Sequence, residues 1–561
     1  MTHKLKLELT WIGKGDEPKL EPRILLWDKD KSYGDENTEN MLIHGDNLLA
    51  LTALEQEYTG KIKCVYIDPP FNTGAAFDHY DDNLEHSIWL DLMNVRLQIV
   101  KKLLTDDGVI FINLDDSEAA YAKVLMDEIF GRKNYLNEII VATNKAFGFK
   151  STSDTLFKQA NHILFYAKNK INARLNLDAM FIEKQYDEQY KWVFINTEKP
   201  ESEWIWKNIK DVVAEEMGFV KARNVPKAKQ EEFIERISTF AIENANIVFR
   251  TASVSGGALL KRKETINLSK IERNKIIRHP NDDMDYMFIG GERVLFYKER
   301  LKKIDGQLLP GELITDIWTD ISVEGLAAEG GVDFPKGKKP EKLIQRCIDL
   351  STKEGDLVLD SFLGSGTTAA VAHKMNRRWI GIELGDHCYT HCKPRLEKVI
   401  DGEQGGISKA VGWQGGGGFN FYELAPSLLK QDTYGNWVID KEHYNPEMLA
   451  AAVAKLNGYR YEPDETVFWK QGKSHENSYI FVTTQFITAK YLDLLAADMQ
   501  YQENLLICCP AYDTGLNNRY ENIIIKKIPQ AVLNKCEFGV KNYNINLKGM
   551  TGMEGEEDTN E

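Results

Sequence analysis

Cys64-Val-Tyr-Ile-Asp-Pro-Pro-Phe71 is the stretch whose reading decides the fold. Its first four residues are apolar, β-rich in character and short, which reads as a buried strand. The run then stops on an acid and two prolines. Neither proline carries a backbone N–H and each fixes φ, so the pair cannot continue a sheet and forces a rigid turn. An acid locked at the carboxyl end of a buried strand sits where open α/β sheets place their sites.

The same alternation extends on both sides. Met41–His44 is a short apolar run, and the following GDNLLALTALEQ turns into a helix. Helical spacing covers Trp89–Leu104, a strand covers Val109–Asn113, and a helix runs from about Ser117 to Phe130. Ile139–Ala142 and His162–Ala167 are further strands. Strands alternating with helices predict parallel βαβ units, and the fold class is α/β with a Rossmann-like core. From 171 to 330 the rhythm breaks in a charged, Trp-rich segment. It returns with a helix at Lys339–Leu350, a strand at Leu357–Leu359, a helix at Thr367–Met375 and a strand at Trp379–Ile382. After the glycine-rich GWQGGGGF (412–419) the remainder reads as a small α/β domain. The expected plan is a β preface at 1–40, core segments at 41–170 and 331–402, an insert at 171–330 and a C-terminal domain at 403–561.

Composition supports several domains. The chain has 561 residues, 43% hydrophobic and 28% charged, enough to bury substantial cores. It has no run of about 18 apolar residues and no signal-peptide pattern at MTHKLKLELTW, so a cytoplasmic protein is expected. Seven scattered cysteines form no disulfide framework and read as reduced thiols. The net charge of −15 argues against nucleic acid only until its distribution is seen. The tail TGMEGEEDTNE is purely acidic, whereas 221–280 carries thirteen Lys and Arg against six Asp and Glu. A basic window inside an acidic chain allows a DNA-binding face, although a solvated helical surface gives the same pattern.

Two constellations carry chemistry. In the first, Asp68 and the carbonyl of Pro69 present fixed acceptors, Pro70 completes the turn, and Phe71 offers a flat apolar face. Acceptors converging beside a π-face suit a planar molecule bearing an amino group, such as a nucleobase. Read alone, the same turn also serves as an ordinary strand end. The second constellation is Asp360-Ser-Phe-Leu-Gly-Ser-Gly-Thr-Thr368, between a strand and a helix. Gly364 and Gly366 allow a tight turn and close approach of a ligand. The spacing is neither the dinucleotide fingerprint nor the phosphate loop, and no Lys follows to grip a phosphate. Glu383 at the tip of the next strand is placed to accept from ribose hydroxyls. A nucleoside without phosphates fits, with S-adenosylmethionine the prominent candidate.

With both in place, the chain resembles the DNA amino-methyltransferases. DPPF looks like their catalytic motif and DSFLGSGTT like their cofactor motif, and the catalytic motif comes about 290 residues earlier, the permuted order of the β class. HGDNLLAL (44–51), FPKGKKPEKLIQR (334–346) and NHILFYAKN (161–169) are similar to further family segments. YIDPPFNTG with VIFINLDDSE (109–118) is most similar to the modification subunits of type III restriction–modification systems.

The resemblance implies methyl transfer from S-adenosylmethionine to N6 of a flipped-out adenine in double-stranded DNA. It implies Asp68, Pro69, Pro70 and Phe71 as catalytic residues. Asp46, Asn47, Lys339, Asp360, Phe362, Gly364, Gly366, Thr367 and Glu383 are implied as cofactor-binding residues. The insert becomes the target-recognition domain, and the C-terminal domain serves a homodimer or a restriction (helicase–nuclease) subunit on a separate chain. A cytosine-N4 enzyme and a non-catalytic recognition subunit are the alternatives. Tyr166 is a further candidate to line the target base. His387-Cys388-Tyr-Thr-His391-Cys392 reads as buried packing rather than a metal site, and no metal is expected.

Overall fold

The computed structural model describes residues 8–528 and residue 532, apart from 16–18, 22, 71–85, 143–158, 281–285, 305–306, 323–325, 335–336, 441 and 476. It divides into two compact units: Asn176–Thr315, and the flanking chain on both sides of it.

The flanking unit is organised by a ten-stranded mixed sheet. Across the sheet the strands run Leu25–Gly34, Gly418–Leu424, Met41–His44, Arg378–Glu383, Leu357–Asp360, Ile62–Ile67, Leu104–Leu114, Ala160–Ala167, Tyr135–Ala142 and Ile317–Trp318. The six from Gly418–Leu424 to Leu104–Leu114 are mutually parallel. Parallel strands need crossovers, and helices Asn47–Tyr58, His86–Leu103 and Thr367–Lys374 provide them. With helices on both faces, the central strands are apolar throughout rather than alternating. In Ile62–Ile67, Val65 and Ile67 join the core beneath helices Asn47–Tyr58 and His86–Leu103. Cys64 and Tyr66 point the other way, toward Cys347 and Ser351 of helix Glu341–Ser351.

The expected strands and helices recur with shifted ends. The Val109–Asn113 strand is part of Leu104–Leu114, and the helix expected to Phe130 ends at Met126 and continues as a wider π turn, Asp127–Gly131. The edges differ more. Leu25–Gly34 pairs with Gly418–Leu424, so the N-terminal strand and a strand beyond residue 402 both belong to the central sheet. Leu9 and Trp11, inside the expected β preface, pack against the core without strand pairing.

The C-terminal stretch adds a five-stranded sheet, with Ser478–Val482, Asn504–Cys509 and Ile523–Lys527 parallel. Lys455 Nζ donates to the Ala53 carbonyl at 2.6 Å, and Gln56 Nε2 donates to that of Tyr459 at 3.1 Å. Six cysteines are described; all are buried and none forms a disulfide among the described residues. Among the described residues no helix is long and apolar enough to cross a membrane.

The Asn176–Thr315 unit has its own core around a six-stranded antiparallel sheet, which includes Trp192–Ile195, Val248–Ala252 and Glu292–Phe296. Phe194 and Phe249 stack there with centroids 4.0 Å apart. Ten of the thirteen cationic side chains of 221–280 are exposed; Arg262 is instead buried, its guanidinium 3.7 Å from the Tyr286 ring centre.

Phe111 is fully buried and stacks on Phe165 with centroids 4.1 Å apart. Phe111→Ala should cost about 3–5 kcal/mol of stability, read by urea unfolding. A loss below about 1 kcal/mol would show that this strand pair is not part of the cooperative core.

Candidate active site

Leu357–Asp360 and Ile62–Ile67 are neighbours, with Leu359 opposite Val65. From that boundary the chain leaves in opposite directions. The crossover after Leu357–Asp360 leads to Arg378–Glu383 on one side, and that after Ile62–Ile67 leads to Leu104–Leu114 on the other. This is a topological switch point, where the loops diverge and leave a crevice at the carboxyl ends. The two motifs, far apart in the chain, therefore meet there.

Asp68 leaves the end of its strand as foreseen. Its Oδ1 accepts from Asn113 Nδ2 at 2.9 Å, and its Oδ2 lies 2.5 Å from Lys339 Nζ. Pro69 is buried, and the Pro70 carbonyl accepts from the indole N–H of fully buried Trp89 at 2.8 Å. Helix His86–Leu103 thus pins the proline turn from beneath. Phe71 lies outside the described residues.

The glycine turn is held as tightly. Asp360 Oδ1 accepts from the Phe362 amide at 2.9 Å and Oδ2 from Thr368 Oγ1 at 2.6 Å. Gly366 has φ +82°, and a Cβ there would come within 3.3 Å of the Cys392 Cα, so a larger residue is strained and crowded. Glu383 Oε2 accepts from the Gly364 amide at 2.7 Å, and Oε1 accepts from the Leu384 amide at 2.8 Å and faces His387 Nε2 at 3.0 Å. Glu383 is therefore a holder of the loop as well as a tip residue. Thr367 Oγ1 accepts from Arg395 Nη1 at 2.7 Å and belongs to the loop's support.

Asp46 caps helix Asn47–Tyr58 by accepting from the Leu49 amide at 3.0 Å. Asn47 Nδ2 donates to the Ser361 carbonyl at 2.7 Å, while its Oδ1 accepts from buried Arg96 Nε at 2.5 Å. Asn47 therefore ties the first half of the core to the glycine turn. The structure brings the described candidate residues together with two exceptions. Lys339, expected with the cofactor residues, reaches the Asp68 carboxylate. Tyr166 is elsewhere: fully buried, its hydroxyl donates to Asp127 Oδ1 at 2.7 Å, beside helix Ala119–Met126.

Sequence reasoning missed Asn113 and Arg395. Asn113 is the single polar residue closing VIFIN, a signal that was present. Arg395 had none, because an Arg on an amphipathic helix reads as solvated. It is fully buried, donating to Glu341 Oε1 at 2.8 Å as well as to Thr367. Lys374 Nζ reaches the other Glu341 oxygen at 2.8 Å. Burial opposes the Glu341 charge, but Arg395 and Lys374 hold its carboxyl below the usual value. Beside them, Cys388 and Cys392 of the HCYTHC segment are buried; Cys392 Sγ donates to the Gly364 carbonyl and His391 contacts that of Asp333.

The acids of the site are paired: Asp46, Asp68, Asp360 and Glu383 stand at neighbouring strand ends, Asp46 Oδ2 lies 3.5 Å from Arg96 Nη2 and Asp68 Oδ2 2.5 Å from Lys339 Nζ, and the Arg behind the loop is engaged by Glu341. Ser361 Oγ, Tyr66 OH and Asn113 Oδ1 are buried with no hydrogen-bond partner among the described residues, leaving polar capacity around the crevice.

The DNA methylase family matches residues 62–249 and 262–393, more than half of the chain, and this chain belongs to it. The HindVI Mod subunit of a type III restriction–modification enzyme from Haemophilus influenzae is 40% identical over 411 residues, 69% of this chain and 54% of that protein. The EcoPI Mod subunit of Escherichia phage P1 is 26% identical over 432 residues, 67% of this chain and 62% of that protein. The chain thus spans between half and two thirds of the length of these relatives.

Burial pushes the Asp360 carboxyl up to about 7; hydrogen bonds from Thr368 and Phe362 oppose this, and the charges of Asp68 and Glu383 add to it. A raised folded-state value favours the protonated form on folding. The associated stability is full below the ordinary Asp value of 3.8 and is lost as pH rises through about 7. Asp360→Asn should flatten the fall in unfolding free energy between about pH 4 and 7, read by denaturant titration against the unsubstituted chain. Parallel curves for the two proteins would contradict the assignment.

Proposed function

We propose that this chain transfers a methyl group from S-adenosylmethionine to N6 of adenine in double-stranded DNA. The observation that carries the reading is the Asp68 carboxylate at the switch point, one strand away from the glycine turn. When bound, S-adenosylmethionine supplies a methyl carbon on a positively charged sulfur, which accepts the bonding pair as the carbon is transferred. The glycine turn at Gly364 and Gly366, with Ser361, Phe362 and Asp360, forms the cradle for that nucleoside. Asp46 and Asn47 close its base side, and Glu383 faces the ribose.

A base within a duplex cannot reach this crevice, so the target is flipped out at a cost of a few kcal/mol. An exocyclic amine is a weak nucleophile because its lone pair is delocalised into the ring. Asp68 and the Pro69 carbonyl accept its N–H groups, drive the nitrogen toward tetrahedral geometry and free the pair. Asp68 takes up the displaced proton as the N–C bond forms. The Pro-locked turn and Trp89 keep these acceptors in place, so orientation and hydrogen bonding supply the catalysis. Phe71 provides the stacking face.

The exposed cations of 221–280 contact phosphates, which position the duplex, and the insert reads the target sequence. A cytoplasmic setting, a second copy of this chain and a separate restriction subunit complete the reading as a modification component. Asp rather than Ser ahead of the prolines favours adenine over cytosine N4, and nucleoside analysis of modified DNA distinguishes them.

Asp68→Ala should lower labelled-methyl incorporation into DNA by at least about a hundredfold while calorimetry shows nearly unchanged S-adenosylmethionine affinity. Near-normal incorporation by this variant would refute the role of Asp68. Failure of the unsubstituted chain to bind the cofactor would refute the reading itself.

A further inference from the structure

We infer that Lys339 is a positioning residue for Asp68, clamping its carboxylate together with Asn113, rather than a contact of the nucleoside cofactor; the inference rests on the methyl-transfer reading above. The two clamps grip different oxygens. Asn113 Nδ2 holds Oδ1 at 2.9 Å and Lys339 Nζ stands 2.5 Å from Oδ2. Two donors on two oxygens fix the plane of the group, and a carboxylate with about four acceptor positions can still receive a further N–H.

The clamp is built from stiff parts. Asn113 is fully buried on a central strand. Lys339 sits between two anchored neighbours. The buried Lys338 ammonium donates to the carbonyls of Glu329 and Val332. Pro340 is buried and leads into helix Glu341–Ser351, whose Glu341 carries the Arg395 and Lys374 pairs. The Lys339 backbone is therefore set, and its side chain, like that of Asp68, is largely shielded from water. An ion pair shielded in this way is screened less than a surface pair.

The surroundings explain why a cation belongs there. Lys339, Asp360 and the Tyr66 phenol act at Asp68, and Glu383 acts on Asp360 in turn. Asp360, where it is ionised, opposes a second negative charge on Asp68. A protonated Asp68 would lose acceptor capacity and could not take the amine's proton. The Lys339 ammonium offsets these neighbours and keeps the carboxylate in its accepting form.

The test is the pH profile of methyl incorporation with saturating cofactor and DNA. Lys339→Met and Lys339→Gln should move the acid limb of kcat upward by about 1–3 pH units. Lys339→Arg, which keeps the charge, should track the unsubstituted chain. Cofactor affinity, measured by calorimetry, should stay within about threefold in all three, since the clamp acts on Asp68. An acid limb that stays in place in both neutral variants overturns the inference. So does a selective loss of cofactor affinity, which would make Lys339 a cofactor contact. No transfer by the unsubstituted chain at any pH would refute the underlying reading instead.

Discussion

The parallel pairing of Leu357–Asp360 with Ile62–Ile67 is the constraint on which the rest depends. These strands come from opposite sides of a large insert, and neither alone makes a site. Once Leu359 lies opposite Val65, both carboxyl ends emerge at one point and the connections diverge from it. A register slip of one residue would turn Tyr66 and Cys64 into the wrong layer. The apolar side chains buried on both faces specify the register, so the core places the chemistry.

Around that junction, stiffness comes from groups that do not react. Trp89 holds the proline turn by its Pro70 carbonyl, and Asn47 links the helix after Met41–His44 to Ser361. Behind the glycine turn, Glu341 is shared by Arg395 and Lys374 in full burial. Removing one partner of such a cluster leaves an uncompensated charge, whereas the intact cluster has little net effect on stability. Its value lies in fixing where the loop sits. The acids at the strand ends above it are themselves paired, Asp68 with Lys339 and Asp46 with Arg96.

The order of strands and helices in the core was legible because periodicity and turn chemistry are local properties. The two motifs were legible because proline and glycine restrict the backbone wherever they occur. Their meeting was carried by resemblance, since no local pattern states which strands pair across an insert. The role of Lys339 was not legible: a Lys beside two other basic residues reads as a solvent-facing charge or a cofactor contact, and only its distance to Asp68 separates these. Arg395 was hidden for the same reason, because burial of a charge depends on partners more than 50 residues away, Glu341 among them. The pairing of Leu25–Gly34 with Gly418–Leu424 was also invisible, as neither stretch carries a local pattern that names its partner.

Cys392 lies beneath the glycine turn, its thiol donating to the Gly364 carbonyl at 3.0 Å. Burial holds that thiol in its protonated form, well above the usual value, as it does for Cys64, pushed up to about 12. Nucleophilic attack on an alkylating reagent requires both access and thiolate, and the closed turn denies both. The rate at which maleimide labels this sulfur therefore counts excursions of the turn away from its support. The protein carries an intrinsic chemical clock for breathing of its glycine turn, readable without any foreign probe built into the chain.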